Sequence, residues 1–261
     1  MKTNQAFTVL SRAGGIRAAR IITDEFGTMY WWRVWRIARA LRRGVPVAKI
    51  IHKKCFYAMP FYTNMYTLDP RPDTETIVAS VIADCAPNTL PRILDLGTGT
   101  GCIIAAIVKN VSGATGVGME KSYMARRVAR RNIRTLGMND KISIVAGDFT
   151  RTTQKNDIMN HKFDIIVSNP PYIAPGDTRV NAGARHDPYM ALYAGECGRA
   201  AYCAIAKNAR NWIDVHGKIY VEIGEGMYDD VRNIFVRAGW TFIRADADLS
   251  GILRVLVFCY N

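Results

Sequence analysis

Apolar and polar positions change period several times along the chain, and each change marks an element. From Tyr30 to Arg43, Trp31, Val34, Trp35, Ala38 and Leu41 recur at three- and four-residue spacing, with five arginines mostly between them. That period predicts an amphipathic helix, ended by Gly44 and Pro46, and core packing is the expected role of its tryptophans. Residues 47–68 carry Phe56, Tyr57, Phe61, Tyr62 and Tyr66 and read as a small strand-rich connector. A helix over about 76–85 follows, with Asp73 or Thr74 as its expected cap. Beyond it, short β-branched runs predict strands at 93–96, 114–119, 142–146, 165–167 and 218–223, with helices over 102–109, 123–136, 198–212 and 227–238. Two consecutive strands, 240–245 and 252–259, close the chain. Such alternation predicts an α/β fold: a seven-stranded, mostly parallel sheet ending in an antiparallel hairpin. The expected division is a basic helical segment 1–46, a connector or hairpin 47–75, and the α/β domain 76–261.

Two stretches carry candidate chemistry. In Asp164-Ile165-Ile166-Val167-Ser168-Asn169-Pro170-Pro171-Tyr172 a buried strand runs into two prolines. Neither proline can continue a sheet or donate a backbone N–H, so the chain leaves the sheet extended at Asn169. Asn169 Oδ1 and the Pro170 carbonyl are both acceptors. Two acceptors at fixed spacing suit a planar –NH2, as found on adenine, cytosine and glutamine. Pulling on both N–H bonds favours a pyramidal, nucleophilic nitrogen, which is electrostatic preorganisation. Tyr172 offers a ring face to a planar group or a cation.

The second stretch, Ile93-Leu94-Asp95-Leu96-Gly97-Thr98-Gly99-Thr100-Gly101, is a strand and a glycine-rich turn before a helix. Such a turn lets a ligand approach the backbone closely, but GxGxG is not the dinucleotide fingerprint GxGxxG. Asp95, expected to point into the site, would repel a pyrophosphate and suit a cationic amino group. Glu120 ends the next strand, where a carboxylate can accept both ribose hydroxyls. After the third strand, Asp148 could accept from an adenine N6 amine and Phe149 could cover the ring. Residues 150–162 read as a polar loop or irregular helix. Residues 173–197 lack periodicity and read as a substrate-binding segment or lid, with His186 in a structural role.

Charge and cysteines narrow the partners. The net charge of +13 is concentrated in residues 1–54, which hold 12 Lys/Arg against 2 Asp/Glu. This arm could face nucleic acid, a ribosome-like surface or an acidic protein; a solvated basic helix is the plainer reading. Residues 1–22 contain no acid and also fit an organellar transit peptide. The expected compartment is the cytoplasm, with the mitochondrial matrix as alternative. The six scattered cysteines form no CxxC pair and read as reduced thiols, with no metal site. No apolar run approaches membrane-spanning length.

Together, Pro70-Arg71-Pro72-Asp73-Thr74-Glu75, the Leu94–Gly101 stretch and Phe163 to Ile173 resemble the HemK/PrmC protein-glutamine methyltransferases. Asp187-Pro188 with Ala191-Leu192, and Arg254-Val255, fit the same family. The resemblance covers about residues 40–261. It implies a class I, Rossmann-like S-adenosylmethionine fold and methylation of a glutamine side-chain nitrogen, with S-adenosylhomocysteine as product. The usual substrate in the family is the Gly-Gly-Gln loop of class I peptide-chain release factors. Matched positions give Gly97, Thr98, Gly99, Thr100 and Gly101 to the methionine and ribose portion, Glu120 to the ribose and Phe149 to the adenine. Asn169, Pro170, Pro171 and Tyr172 would hold the glutamine. Glu120 stands where Asp is commoner, and the amino-terminal helical domain is reduced and arginine-rich. A base-amine methyltransferase and a ribosomal-protein glutamine methyltransferase are the alternative readings.

Overall fold

The computed structural model describes residues 1, 3–87, 89–151, 161–173, 185–193 and 198–260. Three helices come first: α1 (Thr3–Phe26), α2 (Trp31–Arg42) and α3 (Val47–Ile51). α1 bends at Gly15, whose φ of 86° and ψ of 163° are not helical, a conformation that glycine tolerates. Ala6, Leu10, Ala19 and Ile22 from α1 meet Val34, Ile37 and Leu41 from α2 in a small separate core. The stretch with transit-peptide composition is thus an integral layer of this helical unit.

The tryptophans of α2 do not pack in that core. Trp31, Trp32 and Trp35 are 66, 47 and 50% exposed, while Val34, Ile37, Ala38 and Leu41 are buried. Successive residues turn by about 100° around a helix, so Trp35 lies past the edge of the buried stripe and is left half-exposed. Trp32 instead stacks with its neighbours. Tyr30 lies parallel to Trp32 at 6.3 Å, and Arg36 sits 5.9 Å over Trp32.

β1 (Lys54–Phe56) and β2 (Met59–Phe61) form an antiparallel hairpin. A 3-10 turn at Pro72–Thr74 runs straight into α4 (Glu75–Asp84). The body then alternates: β3 (Arg92–Leu96), α5 (Cys102–Asn110), β4 (Thr115–Glu120), α6 (Tyr123–Thr135), β5 (Ile142–Ala146) and β6 (Phe163–Ser168). A short α7 (Tyr189–Leu192) precedes α8 (Ala200–Asn208), β7 (Ile213–Glu222), α9 (Tyr228–Arg237), β8 (Thr241–Ala247) and β9 (Leu253–Cys259). Residues 152–160, in the expected polar loop, and residues 174–184 and 194–197, in the expected substrate segment, lie outside the described residues.

Seven strands form one sheet in the order β5-β4-β3-β6-β7-β9-β8. The first five are parallel, and β9 runs antiparallel to both neighbours. Helices cover both faces, as a parallel sheet requires. α4 and α5 close one core with Ile93, Ile165 and Val167; α8 and α9 close the other with Leu94, Ile166 and Ile219. The chain winds outward from β3 to β5, then returns to place β6 on β3's other side. That reversal opens a crevice at the carboxyl ends of β3 and β6, where ligands bind in open α/β sheets.

One buried lysine joins the helical unit to this body. Lys49 of α3 lies 2.8 Å from Asp69 and 3.0 Å from Asp187, and donates to the Asn64 and Thr67 carbonyls. A charge removed from water needs this degree of pairing. Asp187 also faces Arg71 at 3.7 Å, so the network ends beside the crevice.

Candidate active site

The glycine turn forms one wall of the crevice. Gly97, Gly99 and Gly101 have φ of 75°, 56° and 80°, the left-handed region open to glycine at little cost. Gly97 and Thr98 both donate to the Met119 carbonyl, which fixes the turn against β4. Glu120, at the end of β4, accepts from Gly99 N at 3.1 Å and Ser122 N at 2.8 Å, one bond to each oxygen. A carboxylate has about four acceptor positions, so Glu120 keeps capacity for a diol. Phe149 faces the turn: a methyl at Gly97 would stand 3.5 Å from its ring, whereas one at Gly99 would have no atom nearer than 3.9 Å. Asn208 fixes the Phe149 carbonyl from below at 2.9 Å. An open backbone edge, an acceptor and an aromatic cover on one side of the sheet fit a nucleoside-bearing ligand.

Two acids behave differently from the sequence expectation. Asp95 is fully buried beneath the turn: its Oδ2 accepts from the Thr98 hydroxyl at 2.5 Å, and its Oδ1 has no partner among the described residues. Its burial raises its pKa to about 7, and it braces the turn from within. The side chain follows the sheet's alternation inward, a face that the Asp95 position alone leaves undetermined. Asp148 is already engaged by Thr150 through both backbone and hydroxyl, and by Lys121 at 2.9 Å.

The opposite wall follows β6. Ser168 is paired with Leu96 in the parallel register, so the residues that follow, Asn169 and Gly97, leave the sheet side by side. Asn169 is half-buried, and its Nδ2 donates to Thr74 Oγ1 at 3.0 Å. Among the described residues no donor reaches Asn169 Oδ1 or the Pro170 carbonyl. Among the described residues, these two acceptors thus stand without a donor beside the glycine turn. Thr74, expected as a helix cap, makes no capping bond, because the 3-10 turn leads directly into α4 and leaves its hydroxyl for Asn169.

Tyr172 folds back onto the end of β7. Its ring lies where a side chain at Gly224 would be: a methyl there would stand 3.0 Å from Tyr172 Cδ2 and from Met227 Sδ. Burial, with the nearby Glu222 carboxylate, pushes the Tyr172 phenol up to about 12, so it stays a neutral donor. His186 is structural, its Nε2 lying 3.2 Å from the Arg43 carbonyl of the helical unit.

Glu222 and Gly224 were missed in the sequence. The signal was present, since the expected strand 218–223 carries Glu222 near its end, as the earlier strand ends in Glu120. Glu222 is 2% exposed, and its Oε2 has no partner among the described residues. Burial raises its pKa to about 7 against the attraction of Arg71 and Arg254.

Comparison with known proteins agrees with this geometry. Residues 76–186 match the methyltransferase small domain family. The release factor glutamine methyltransferase of Bradyrhizobium diazoefficiens is 35% identical over 246 residues, spanning 92% of this chain and 80% of that one. The enzyme of the same name from Caulobacter vibrioides is 33% identical over 258 residues, spanning 97% and 88%. A crystal structure of a methyltransferase from Pyrococcus furiosus shares the fold, with a TM-score of 0.56 over 86% of this chain and 97% of that one at 16% identity.

Proposed function

The chain belongs to the release factor glutamine methyltransferase family, with a class I Rossmann-like fold, and we propose that it methylates the side-chain nitrogen of a glutamine in a class I peptide-chain release factor. The observation that carries this reading is the pair of acceptors, Asn169 Oδ1 and the Pro170 carbonyl, to which no donor among the described residues reaches, next to the Gly97 turn. S-adenosylmethionine, when bound, supplies an electrophilic methyl group. Glu120 takes the ribose hydroxyls, Phe149 covers the adenine, and the Gly97–Gly101 backbone lies along the remainder. Asn169 and Pro170 accept the two N–H bonds of the substrate carboxamide, and the Tyr172 ring borders its plane.

An amide nitrogen is a poor nucleophile because its lone pair is delocalised into the carbonyl. Acceptors aimed at both hydrogens stabilise the pyramidal nitrogen as it attacks. Holding nitrogen and methyl in line supplies much of the remaining acceleration. The nitrogen forms one bond to carbon, the carbon–sulfur bond breaks, and a nitrogen-bound proton leaves to water.

The helical unit's exposed tryptophans and arginines offer a surface to the protein substrate or its ribosomal surroundings. A release-factor substrate would put the enzyme where translation occurs, the cytoplasm. Among the described residues no helix is long and apolar enough to cross a membrane. Incubation with methyl-labelled S-adenosylmethionine, a purified release factor and ribosomal RNA tests the assignment. Label on the factor is expected; label confined to RNA would reassign the enzyme to base amines.

A further inference from the structure

The outward side of α2 is made of two kinds of side chain. At about 100° per residue, Trp31, Trp32, Trp35, Arg36, Arg39 and Arg42 fall within an arc of roughly 140°, opposite Val34, Ile37 and Leu41. All six are exposed. The rings lead and the arginines follow along the helix, so indoles and guanidinium groups share one face. Tyr30, 75% exposed, extends it with its ring parallel to that of Trp32. The charge of this face is uncompensated. Between Glu25 and Asp69 the chain holds eight Lys/Arg and no acid. Among the described residues no carboxylate pairs with Arg36, Arg39 or Arg42.

Each kind of side chain answers one half of a single-stranded nucleic acid. An exposed indole offers a π face on which an unstacked base can lie, and a guanidinium offers paired donors to a phosphate. Other anionic partners use only part of this surface. An acidic peptide would neutralise the arginines but leave the rings without a flat group to stack on. A lipid surface would draw on exposed aliphatic chains, whereas Val34, Ile37 and Leu41 face the helical core. A duplex hides its base faces in its own stack. Unstacked bases on a phosphate backbone use both halves.

We propose that the Tyr30–Arg42 face of α2 is a docking surface for single-stranded RNA: Trp32 and Trp35 stack on bases while Arg36, Arg39 and Arg42 hold phosphates. The choice of RNA over DNA rests on the release-factor reading above, which sets the enzyme beside the ribosome. The surface is separate from the chemistry, since β3 and β6 carry the candidate active site and α2 packs in the helical core. It gives the exposed tryptophans, which periodicity alone assigned to the core, a ligand that their exposure suits.

The full-length protein would be titrated with a short unstructured, labelled RNA, and DNA of the same sequence, polyglutamate and phosphatidylglycerol vesicles would be tried as competitors. Anisotropy gives the affinity, and indole fluorescence reports stacking. Trp212 and Trp240 are each 2% exposed, so quenching reads the α2 rings. RNA is expected to bind with quenching and more tightly than any competitor. Trp32→Ala and Trp35→Ala should each weaken RNA binding by about 5- to 100-fold, the usual effect of losing one stacked ring. Arg36→Gln, Arg39→Gln and Arg42→Gln together should flatten the slope of log affinity against log salt by about 2, at about 0.7 per phosphate contact. Thermal midpoints should stay at the wild-type value, because all these side chains are exposed. The KM for an isolated release factor should also stay unchanged in these variants. Full RNA affinity in both tryptophan variants would overturn the proposal, as would equal competition by DNA, polyglutamate or vesicles. A KM for the isolated factor that rises in step with the loss of RNA affinity would make α2 a dock for the factor, overturning the proposal and leaving the catalytic reading intact. A factor left unmethylated by wild type, with the RNA results as expected, would strike the catalytic reading and leave this surface standing.

Discussion

Ser168 Oγ donates to the Leu96 carbonyl at 2.9 Å, with both groups buried at the end of the sheet. β3 carries the glycine turn and β6 carries Asn169, so this bond ties the two halves of the crevice at the point where their strands end. Ser168→Ala should cost about 1 kcal/mol of stability, the net worth of one hydrogen bond plus a carbonyl left unsatisfied. Because both halves loosen, cofactor affinity and kcat should fall together. Calorimetry and steady-state kinetics on one preparation would check this; a fall in kcat alone would count against it.

The free edge at Gly99 gives a sharper test of where the cofactor lies. A methyl there has space within the protein, its nearest neighbour being the Gly97 carbonyl at 3.9 Å. Gly99→Ala should therefore cost only the strain of a left-handed residue, about 1 kcal/mol. Titration calorimetry should show affinity for S-adenosylmethionine falling by at least about tenfold, or about 1.4 kcal/mol. Unaltered affinity would move the cofactor away from this turn.

Gly224 makes room for Tyr172. Gly224→Ala adds a methyl 3.0 Å from the ring, an overpacking that typically costs about 1–3 kcal/mol. The ring is expected to shift towards the substrate side, raising KM for the release factor more than it weakens cofactor binding. Equal effects on both would argue that Tyr172 is packing alone.

These predictions rest on features of unequal visibility in the sequence. The β-branched runs Ile93-Leu94 and Ile165-Ile166-Val167 announced the central strands because burial on both sheet faces demands such residues. The Gly97–Gly101 turn and the Asn169-Pro170 exit were legible because backbone freedom and proline geometry are local properties. Three things were not. Helical periodicity gave α2 a buried stripe but could not tell that its Trp35 edge is left half-exposed. Asp95 was placed on the right strand end, but its burial beneath Thr98 depends on how the turn folds over it. Lys49 and Thr74 act through partners distant in sequence, so no local pattern joins them: Thr74 and Asn169 are 95 residues apart.

Acid stability should depend on a site away from the crevice. Asp84 Oδ2 accepts from Lys218 at 3.1 Å, Tyr220 at 2.7 Å and Arg244 at 3.0 Å. Burial alone would raise its pKa, but these bonds outweigh it and lower the group from 3.8 to about 2. A carboxyl depressed in the folded state stabilises above its unfolded pKa and loses that contribution as pH falls through the folded one. Asp84→Asn should thus be less stable than wild type at pH 7 by about 1 kcal/mol, after allowance for solvent screening. Denaturant titrations should show the gap closing as pH drops from about 4 towards 2; a gap that persists at the acid end would contradict the network.

The central claim is that Asn169 and Pro170 hold a glutamine carboxamide for methyl transfer. Its most direct test is fragmentation mass spectrometry of a class I release factor after incubation with S-adenosylmethionine and either the wild type or Asn169→Ala. The wild type should add one methyl group to the side-chain nitrogen of the Gly-Gly-Gln glutamine. Asn169→Ala, still binding cofactor, should do so at least about 100-fold more slowly, the scale of losing one preorganised transition-state contact. An unmodified glutamine with wild type, or equal rates from the two proteins, would contradict the claim.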